Sequence, residues 1–201
     1  MKTEVPDDAV IAATVAKLSA ALLARGWTMA AAESCTGGWI AKCCTDRAGS
    51  SAWFERGFVT YSNAAKRELL GVAGDVLERA GAVSEAVARS MAEGALRNSR
   101  AEVALAVTGI AGPDGGAPDK PVGTVWFGWA VAGEATLTVC RRFEGDREAV
   151  RRQCQSFLQG RRCTPVIATV PVDQALVEPG QQVVQVRDAA QHPGALLHAQ
   201  A

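Results

Sequence analysis

The segment Glu102–Val107 constrains the fold of this chain more than any other stretch of its sequence. It is an almost continuously apolar run of strand length, which is typical of a strand buried on both faces. Such a strand needs helices on both sides of its sheet. The other segments predict the order β-α-β-α-α-β-β-β-α behind an initial helix. We therefore predict an α/β fold, a three-layer α/β/α sandwich, whose β-sheet is mixed because a hairpin supplies its last two strands.

Capping residues and glycines predict the boundaries of these elements. The predicted strands are Thr28–Ala32, Arg56–Ser62, Glu102–Val107, Val122–Val131 and Ala135–Phe143. The predicted helices run from a cap at Asp7 or Asp8 to Gly26, from about Gly37 towards Asp46, from a cap at Asn63 to Leu70, from a cap at Ser84 to about Asn98, and from a cap at Asp146 onwards.

Composition limits the class of function and the compartment. The chain has 201 residues, of which 21 are basic and 21 acidic, so it lacks the positive charge of a general nucleic-acid binder. No apolar stretch approaches the roughly 20 residues that span a bilayer, and the acidic N-terminus does not resemble a signal peptide. We therefore expect a cytoplasmic protein with no membrane or nucleic-acid partner.

The cysteines and histidines do not form a metal-binding pattern. No C-x-x-C pair occurs, and both histidines, His192 and His198, lie in the last ten residues. We expect reduced cysteines, no metal and no cofactor. Since the earlier chain contains no imidazole, its proton chemistry must come from Lys, Tyr, Asp or Glu.

The character of the sequence changes at Gly160. Residues 161–165 break the last predicted helix, and the remainder contains three further prolines but no lysine or aromatic residue. We therefore divide the chain into a domain over 1–160 and a poorly ordered tail over 161–201. The tail is either a true extension or the product of a shifted reading frame.

A reactive group is predicted directly after the strand Thr28–Ala32. The motif at 33–38, Glu-Ser-Cys-Thr-Gly-Gly, lies where this strand gives way to a helical pattern. Ser34 is either a nucleophile at the helix N-terminus or only the cap of that helix. Cys35 competes for the nucleophile role, since a helix N-terminus also activates a thiol. Free backbone N–H groups there would bind an oxyanion or a phosphate, and they belong to Thr36, Gly37 and Gly38.

Lys66 is the candidate for the base that a serine nucleophile needs. It follows the strand Arg56–Ser62 and falls in the first turn of the next helix, whose dipole lowers the pKa of an ammonium group. A partly buried lysine at this point would act as a base, whereas a solvated one would be an ordinary surface residue. Tyr61 would orient or relay the proton, or would be an interfacial aromatic residue.

Two further segments predict an anion-binding site at the same edge of the sheet. The glycine-rich loop beginning at Thr108-Gly109 leaves the buried strand, and ligands of open α/β sheets bind outside the carboxyl ends of such strands. Arg147, at the start of the last helix, either lies over this edge or is solvated. Ser51 either caps a helical turn or lines the pocket. Arg151 and Arg152 are expected on the solvent face of the last helix.

Seven motifs in a fixed order resemble one known family. They are Ala32–Gly38, Ala48–Ser51, Gly57–Asn63 with Lys66, Gly81–Ser84, Thr108–Gly116, Lys120–Trp126 and Phe143–Arg147. Together they resemble the CinA C-terminal domain family, specifically its stand-alone members, the nicotinamide-nucleotide amidases. The resemblance covers roughly residues 7–158.

The resemblance implies a reaction and a site. The reaction is hydrolysis of the carboxamide of nicotinamide mononucleotide, which yields nicotinate mononucleotide and ammonia in the recycling of NAD. Ser34 and Lys66 would form a serine–lysine amidase site that needs no metal. Ser51 also matches a family motif and is the alternative nucleophile. The resemblance also places Tyr61 beside this pair, and it places Thr108 and Arg147 in the lining of the pocket.

The competing class of function is a protein that binds a nucleotide without turning it over, since CinA-type domains are also linked by name to competence and DNA damage. A homodimer is expected from the resemblance and from the apolar character of Trp126–Trp129, taken to be exposed.

The family's last helix usually continues beyond the position of Gln159, where this chain departs. We therefore expect lower stability than in a full-length relative.

Overall fold

A computed structural model describes residues 5–159, so the predicted tail at 161–201 lies outside the described residues. The described part contains five strands and six helices. The strands are β1 (Met29–Glu33), β2 (Phe54–Val59), β3 (Val103–Gly109), β4 (Thr124–Val131) and β5 (Leu137–Arg142). The helices are α1 (Asp8–Leu23), α2 (Trp39–Thr45), α3 (Asn63–Leu70), α4 (Gly74–Ala80), α5 (Glu85–Arg97) and α6 (Arg147–Gln159), with a short 3-10 turn at Ser50–Ala52.

The five predicted strands are confirmed, and α4 is the helix that the sequence patterns did not indicate. Asp7 caps α1 and Ser84 caps α5, as predicted. The predicted cap at Asn63 is wrong, because Ser62 Oγ accepts the N–H of Ala65 and caps α3 instead. Asn63 is therefore the first helical residue, and its side chain is not used for capping.

The sheet has the order β2-β1-β3-β4-β5, and it is mixed as predicted. β1 pairs in parallel with both β2 and β3, whereas β4 is antiparallel to β3 and to β5. The carboxyl ends of β2, β1 and β3 therefore meet at one edge of the sheet, where open α/β sheets bind ligands.

Helices cover both faces of the sheet, which confirms the three-layer sandwich. Alternate residues of a strand point to opposite faces. Met29 and Ala31 of β1 pack in one hydrophobic cluster with residues of α1, α2 and α6. Ala30 and Ala32 pack in a second cluster with residues of α3, α4 and α5.

Small residues let α5 approach the sheet and α3 closely. A Cβ atom added at Gly128 of β4 would lie 2.7 Å from the carbonyl oxygen of Ala88 in α5. One added at Gly94 of α5 would lie 2.1 Å from the carbonyl oxygen of Leu70 in α3. The second face is accordingly lined by alanines of β1 and β3, namely Ala30, Ala32, Ala104 and Ala106.

The expectation that Trp126–Trp129 forms an exposed apolar surface is wrong. Phe127 and Trp129 are fully buried in the first cluster, and Trp126 is half-buried. The rings of Phe127 and Trp129 instead pack under α6, where the centre of the Phe127 ring lies 4.7 Å from that of Phe157. Among the described helices, none is both long and apolar enough to cross a membrane.

Candidate active site

A cavity of about 180 Å³ opens at the carboxyl ends of the three parallel strands. It brings together residues that are far apart in the sequence. Six of the predicted site residues line it: Ser34, Tyr61, Lys66, Thr108, Gly109 and Arg147.

Ser34 and Lys66 form the central contact of this cavity. Ser34 follows β1 directly, and its N–H donates to the carbonyl oxygen of Val107 in β3, which holds it at the sheet edge. Lys66 lies on α3, and its Nζ is 3.0 Å from Ser34 Oγ. Both side chains are buried, with exposed fractions of 8% for Ser34 and 1% for Lys66.

The surroundings of Lys66 favour the neutral amine. Burial lowers the pKa of its ammonium group from the usual 10.5, because desolvation penalises the charged form. Besides Ser34, its Nζ contacts two acceptors, the carbonyl oxygens of Thr60 at 2.9 Å and Tyr61 at 3.3 Å. The described surroundings of Nζ thus offer hydrogen-bond acceptors and no carboxylate to hold a positive charge.

The N-cap residue of α2 is Gly38, and the side chain that caps this helix belongs to Glu33, so the alternative interpretation of Ser34 as the cap is wrong. The buried Glu33 carboxylate accepts the N–H groups of Gly38, Ile40 and Ala41 at 3.1, 3.0 and 2.9 Å. The N-terminus of α2 therefore already holds an anion from the protein itself. The hydroxyl of Ser34 is left free to contact Lys66.

The turn after Ser34, residues 34–38, uses some of the N–H groups expected to bind an anion. The N–H of Gly37 donates to the carbonyl oxygen of Ser34 at 3.1 Å, and that of Gly38 donates to Glu33. Thr36, Gly37 and Gly38 are not among the residues that line the cavity. We call residues 34–38 the nucleophile turn. Among the described contacts the N–H groups of Cys35 and Thr36 have no acceptor, and of these two residues only Cys35 lines the cavity.

Tyr61 and Arg147 meet at the mouth of the cavity. The guanidinium of Arg147 donates to the phenol oxygen of Tyr61 at 3.1 Å and to the carbonyl oxygen of Gly112 at 2.8 Å. Both side chains are exposed, so a charged group bound there would remain in contact with solvent. Among the described contacts Tyr61 reaches Lys66 through its main-chain carbonyl, and its phenol lies on Arg147 instead.

Thr108 and Gly109 form the opposite wall at the end of β3. The buried hydroxyl of Thr108 donates to the carbonyl oxygen of Ala82 at 2.8 Å, so its lone pairs remain available to a ligand. A Cβ atom added at Gly109 would lie 2.7 Å from Val125 in β4. Glycine therefore lets the strand end lie flat against its neighbour.

Ser51 does not join the cavity of its own chain. It is exposed in the 3-10 turn before β2. The end of that turn lies at the beginning of β1, since the N–H of Met29 donates to the carbonyl oxygen of Trp53. Ser34 lies beyond the other end of β1, five residues after Met29, which is about 16–17 Å along an extended strand. Ser34 is thus the serine that the structure places at Lys66.

Two arginines of α6 were expected on its solvent face, and this expectation is wrong. Arg151 is half-buried and donates to the carbonyl oxygen of Thr36 at 2.7 Å. Arg152 is also half-buried, and it pairs with Asp8 of α1 and with Glu148. Neither is simply solvated, because α6 packs against α1 and α2 on this face of the sheet.

Two residues at the site were not singled out from the sequence, Glu33 and Asn63. The signal for Glu33 was its place before a helix N-terminus, where carboxylates commonly cap. Asn63 lines the cavity next to Tyr61, and the local signal was ambiguous because Ser62 and Asn63 are both good caps.

Two cysteines lie at or beside the site. Cys35 lines the cavity but is buried, and its neighbour Cys154 of α6 is fully buried. Burial, together with the hydrogen bond to Cys35, raises the pKa of the Cys154 thiol well above its usual value. Within residues 5–159, no cluster of His, Cys, Asp or Glu side chains is arranged to hold a metal ion.

The fold and the site define an α/β sandwich protein with a buried serine beside a lysine, the kind of pair found in enzymes with an activated nucleophile. The CinA C-terminal domain model matches residues 11–158. The chain therefore belongs to the CinA C-terminal domain family.

Known relatives agree with this assignment. The chain is 62% identical over 141 residues to nicotinamide-nucleotide amidohydrolase PncC of Enterobacter agglomerans, covering 70% of this chain and 86% of the relative. It is 59% identical to the protein of the same name from Escherichia coli K12, covering 68% and 83%. A solved CinA superfamily protein from Klebsiella pneumoniae aligns with a TM-score of 0.76 at 39% identity, covering 80% of this chain and 99% of that one.

Proposed function

We propose that this protein is a nicotinamide-nucleotide amidohydrolase that converts nicotinamide mononucleotide to nicotinate mononucleotide and ammonia. The observation that carries the proposal is the 3.0 Å contact between Ser34 Oγ and Lys66 Nζ inside a cavity at the sheet edge. The names of the relatives supply the substrate, and both PncC relatives are covered over more than four-fifths of their length.

Lys66 acts as the general base because its hydrogens have other acceptors. A neutral amine has two hydrogens and one lone pair. The ammonium form donates to Ser34 Oγ and to the carbonyl oxygens of Thr60 and Tyr61; in the neutral form the two carbonyl oxygens would keep the two hydrogens, and the lone pair would accept the hydroxyl of Ser34. Burial keeps a larger fraction of Lys66 neutral than in water, which general base catalysis requires.

The reaction takes place in two acyl-transfer steps. Lys66 accepts the proton of Ser34, whose oxygen attacks the carboxamide carbon, and N–H groups of the nucleophile turn stabilise the oxyanion. The ammonium of Lys66 then returns the proton to the departing ammonia, and the nicotinoyl ester on Ser34 remains. Lys66 then deprotonates a water molecule that attacks this ester, the Ser34 oxygen leaves and takes the proton back from Lys66, and the acid is released.

Arg147 binds the 5′-phosphate at the mouth of the cavity. The N-terminus of α2 already carries the Glu33 carboxylate, so a phosphate cannot use that helix as its binding site. The cavity volume of about 180 Å³ is smaller than the roughly 300–1,000 Å³ of pockets that enclose whole ligands. The carboxamide end would therefore enter the cavity, while the phosphate remains near Arg147, Tyr61 and Asn63.

The cellular setting follows from the same reaction. Deamidation of nicotinamide mononucleotide recovers a precursor for NAD, and we place this step in the cytoplasm, where thiols stay reduced. Among the described residues, Cys35 and Cys154 are thiols rather than members of a disulfide, which fits that compartment. The homodimer stays a prediction that rests on the resemblance alone, since Trp126–Trp129 offers no exposed apolar face.

The test is ammonia release from nicotinamide mononucleotide by the purified protein and by the variants Ser34→Ala, Lys66→Ala, Cys35→Ala and Ser51→Ala. We expect the first two variants to be inactive and the last two to retain activity. A dead Cys35→Ala with an active Ser34→Ala would make the thiol the nucleophile. Binding of the nucleotide without any ammonia release would make this a nucleotide-binding protein instead.

A further inference from the structure

Arg151 of α6 contacts the nucleophile turn from the opposite end of the sequence. Its Nη2 donates to the carbonyl oxygen of Thr36 at 2.7 Å, and its guanidinium lies 4.9 Å from the ring centre of Trp39. We propose that Arg151 is a positioning residue, which holds the Thr36 peptide so that the N–H groups beside Ser34 stabilise the oxyanion. This inference rests on the proposed function.

The nucleophile turn has two main-chain hydrogen bonds, from the N–H of Gly37 to the carbonyl oxygen of Ser34 at 3.1 Å and from the N–H of Trp39 to that of Thr36 at 3.3 Å, but its glycines give it little further support. Gly37 and Gly38 have φ angles of 60° and 93°, in the left-handed region, and they carry no side chains that could anchor the turn. The turn is instead held from two sides by opposite charges. The Glu33 carboxylate binds the N–H of Gly38, and the Arg151 guanidinium binds the carbonyl oxygen of Thr36.

The contact lies next to the donors that the reaction requires. Since the N–H of Gly37 donates to Ser34 and that of Gly38 to Glu33, the N–H of Cys35, which lines the cavity, would bind the oxyanion, with the N–H of Thr36 next to it. The N–H and the carbonyl group of Thr36 flank the same Cα atom, so a bond that fixes the carbonyl restricts the N–H as well. The charge of Arg151 also favours negative charge developing nearby.

The contact leaves two buried polar atoms without partners in the described part of the chain. Arg151 Nε and Thr36 Oγ1 are buried without a hydrogen-bond partner among the described residues. Buried polar atoms without partners destabilise a fold, so an arginine placed only for packing would be a poor choice here. A cation directed at the main chain of the turn instead fits a role in catalysis.

Arg152 provides a matched control on the same helix. Its guanidinium lies 5.4 Å from the ring centre of Trp39, so it shares the aromatic contact of Arg151. Its hydrogen bonds go to Asp8 and Glu148 rather than to the turn. Arg151→Met and Arg152→Met therefore each remove one positive charge at neighbouring positions, but only Arg151→Met also removes the contact with Thr36.

The first experiment measures kcat and KM for nicotinamide mononucleotide in both variants. We expect Arg151→Met to lower kcat about tenfold to a hundredfold with KM changed less than about threefold, because misplaced oxyanion donors act in the transition state. Arg152→Met should keep kcat within about twofold, and Arg151→Lys should recover part of the loss, since it keeps the charge but loses the planar donor. Equal losses in both methionine variants, or a change in KM alone, would overturn the proposal.

A second experiment does not depend on the identity of the substrate. A fluorophosphonate reacts with an activated serine: Ser34 Oγ bonds to phosphorus, fluoride leaves, Lys66 accepts the proton, and the phosphoryl oxygen takes the oxyanion position. Labelling of Ser34 is followed by mass spectrometry in folded protein, with Ser34→Ala as the blank. We expect Arg151→Met to react about tenfold more slowly than wild type and Arg152→Met at the wild-type rate.

The two experiments separate the two proposals. Labelling without hydrolysis of nicotinamide mononucleotide would refute the proposed function and leave the labelling rates to decide the role of Arg151. Equal labelling of wild type and Arg151→Met would overturn the role of Arg151 alone. A wild-type protein that neither hydrolyses the nucleotide nor reacts with the probe would overturn both.

Discussion

Replacing Lys66 by methionine should change the pH dependence of stability in a direction that the burial of Lys66 determines. In the folded protein, burial lowers the pKa of Lys66, whereas the unfolded chain keeps the usual value of 10.5. Between these two pKa values the unfolded chain binds a proton that the folded protein does not. The free energy of unfolding of the wild type therefore rises with pH in this window, relative to Lys66→Met.

The magnitude follows from the release of one proton. The difference in unfolding free energy between wild type and Lys66→Met should increase by up to about 1.4 kcal/mol per pH unit within the window. Below the folded-state pKa, and above 10.5, it should be constant. The variant also removes the donor to the carbonyl oxygens of Thr60 and Tyr61, but this loss does not depend on pH and shifts the whole curve equally.

Urea unfolding at a series of pH values from about 6 to 10 measures this difference. Lys17→Met is the matched control for loss of a lysine, because Lys17 lies exposed on α1. The kcat/KM of the wild type should rise over the pH range in which Lys66 loses its proton. A Lys66→Met difference that stays constant over this pH range would show that Lys66 stays charged when folded, and it would refute Lys66 as the base.

Three further substitutions test other contacts. Glu33→Gln should lower the free energy of unfolding by about 1–3 kcal/mol in urea titrations, because three N–H groups lose a charged acceptor; an unchanged midpoint would contradict its role as the cap of α2. Arg147→Met should raise KM for nicotinamide mononucleotide about tenfold or more with a smaller effect on kcat, since it removes a charged hydrogen bond to the phosphate; steady-state kinetics would refute this if KM stayed constant. Gly128→Ala should destabilise by about 1–3 kcal/mol in thermal unfolding, because its Cβ would lie 2.7 Å from the carbonyl oxygen of Ala88; a wild-type melting temperature would argue against close packing of α5.

Signals carried by neighbouring residues were enough to predict the elements of this fold. The apolar run of β3, the hairpin strands and the caps at Asp7 and Ser84 each depend on a few consecutive residues. The helix α4 was not predicted, because it has seven residues and its N-cap, Ala73, makes no side-chain hydrogen bond. The cap of α3 was assigned to Asn63 because adjacent Ser and Asn residues give the same local signal.

The sequence by itself determined the family, the mixed α/β architecture and the choice of Ser34 and Lys66 as candidate partners. Their chemistry could be proposed from residue types and from the positions of strands and helices. Their 3.0 Å contact, across 32 positions of sequence, required the parallel pairing of β1 with β2. Local patterns do not report the distance between two strand ends.

Tertiary structure alone decided which other groups reach the nucleophile. Glu33 caps α2 in place of Ser34, and Ser51 lies beyond the amino end of β1, away from the cavity. Arg147 contacts Tyr61 across 86 positions of sequence and Arg151 contacts Thr36 across 115, because α6 follows the last strand in the chain and packs beside α2. Contacts over such separations depend on the order of strands and on side-chain volume in the core, which no short stretch of sequence contains.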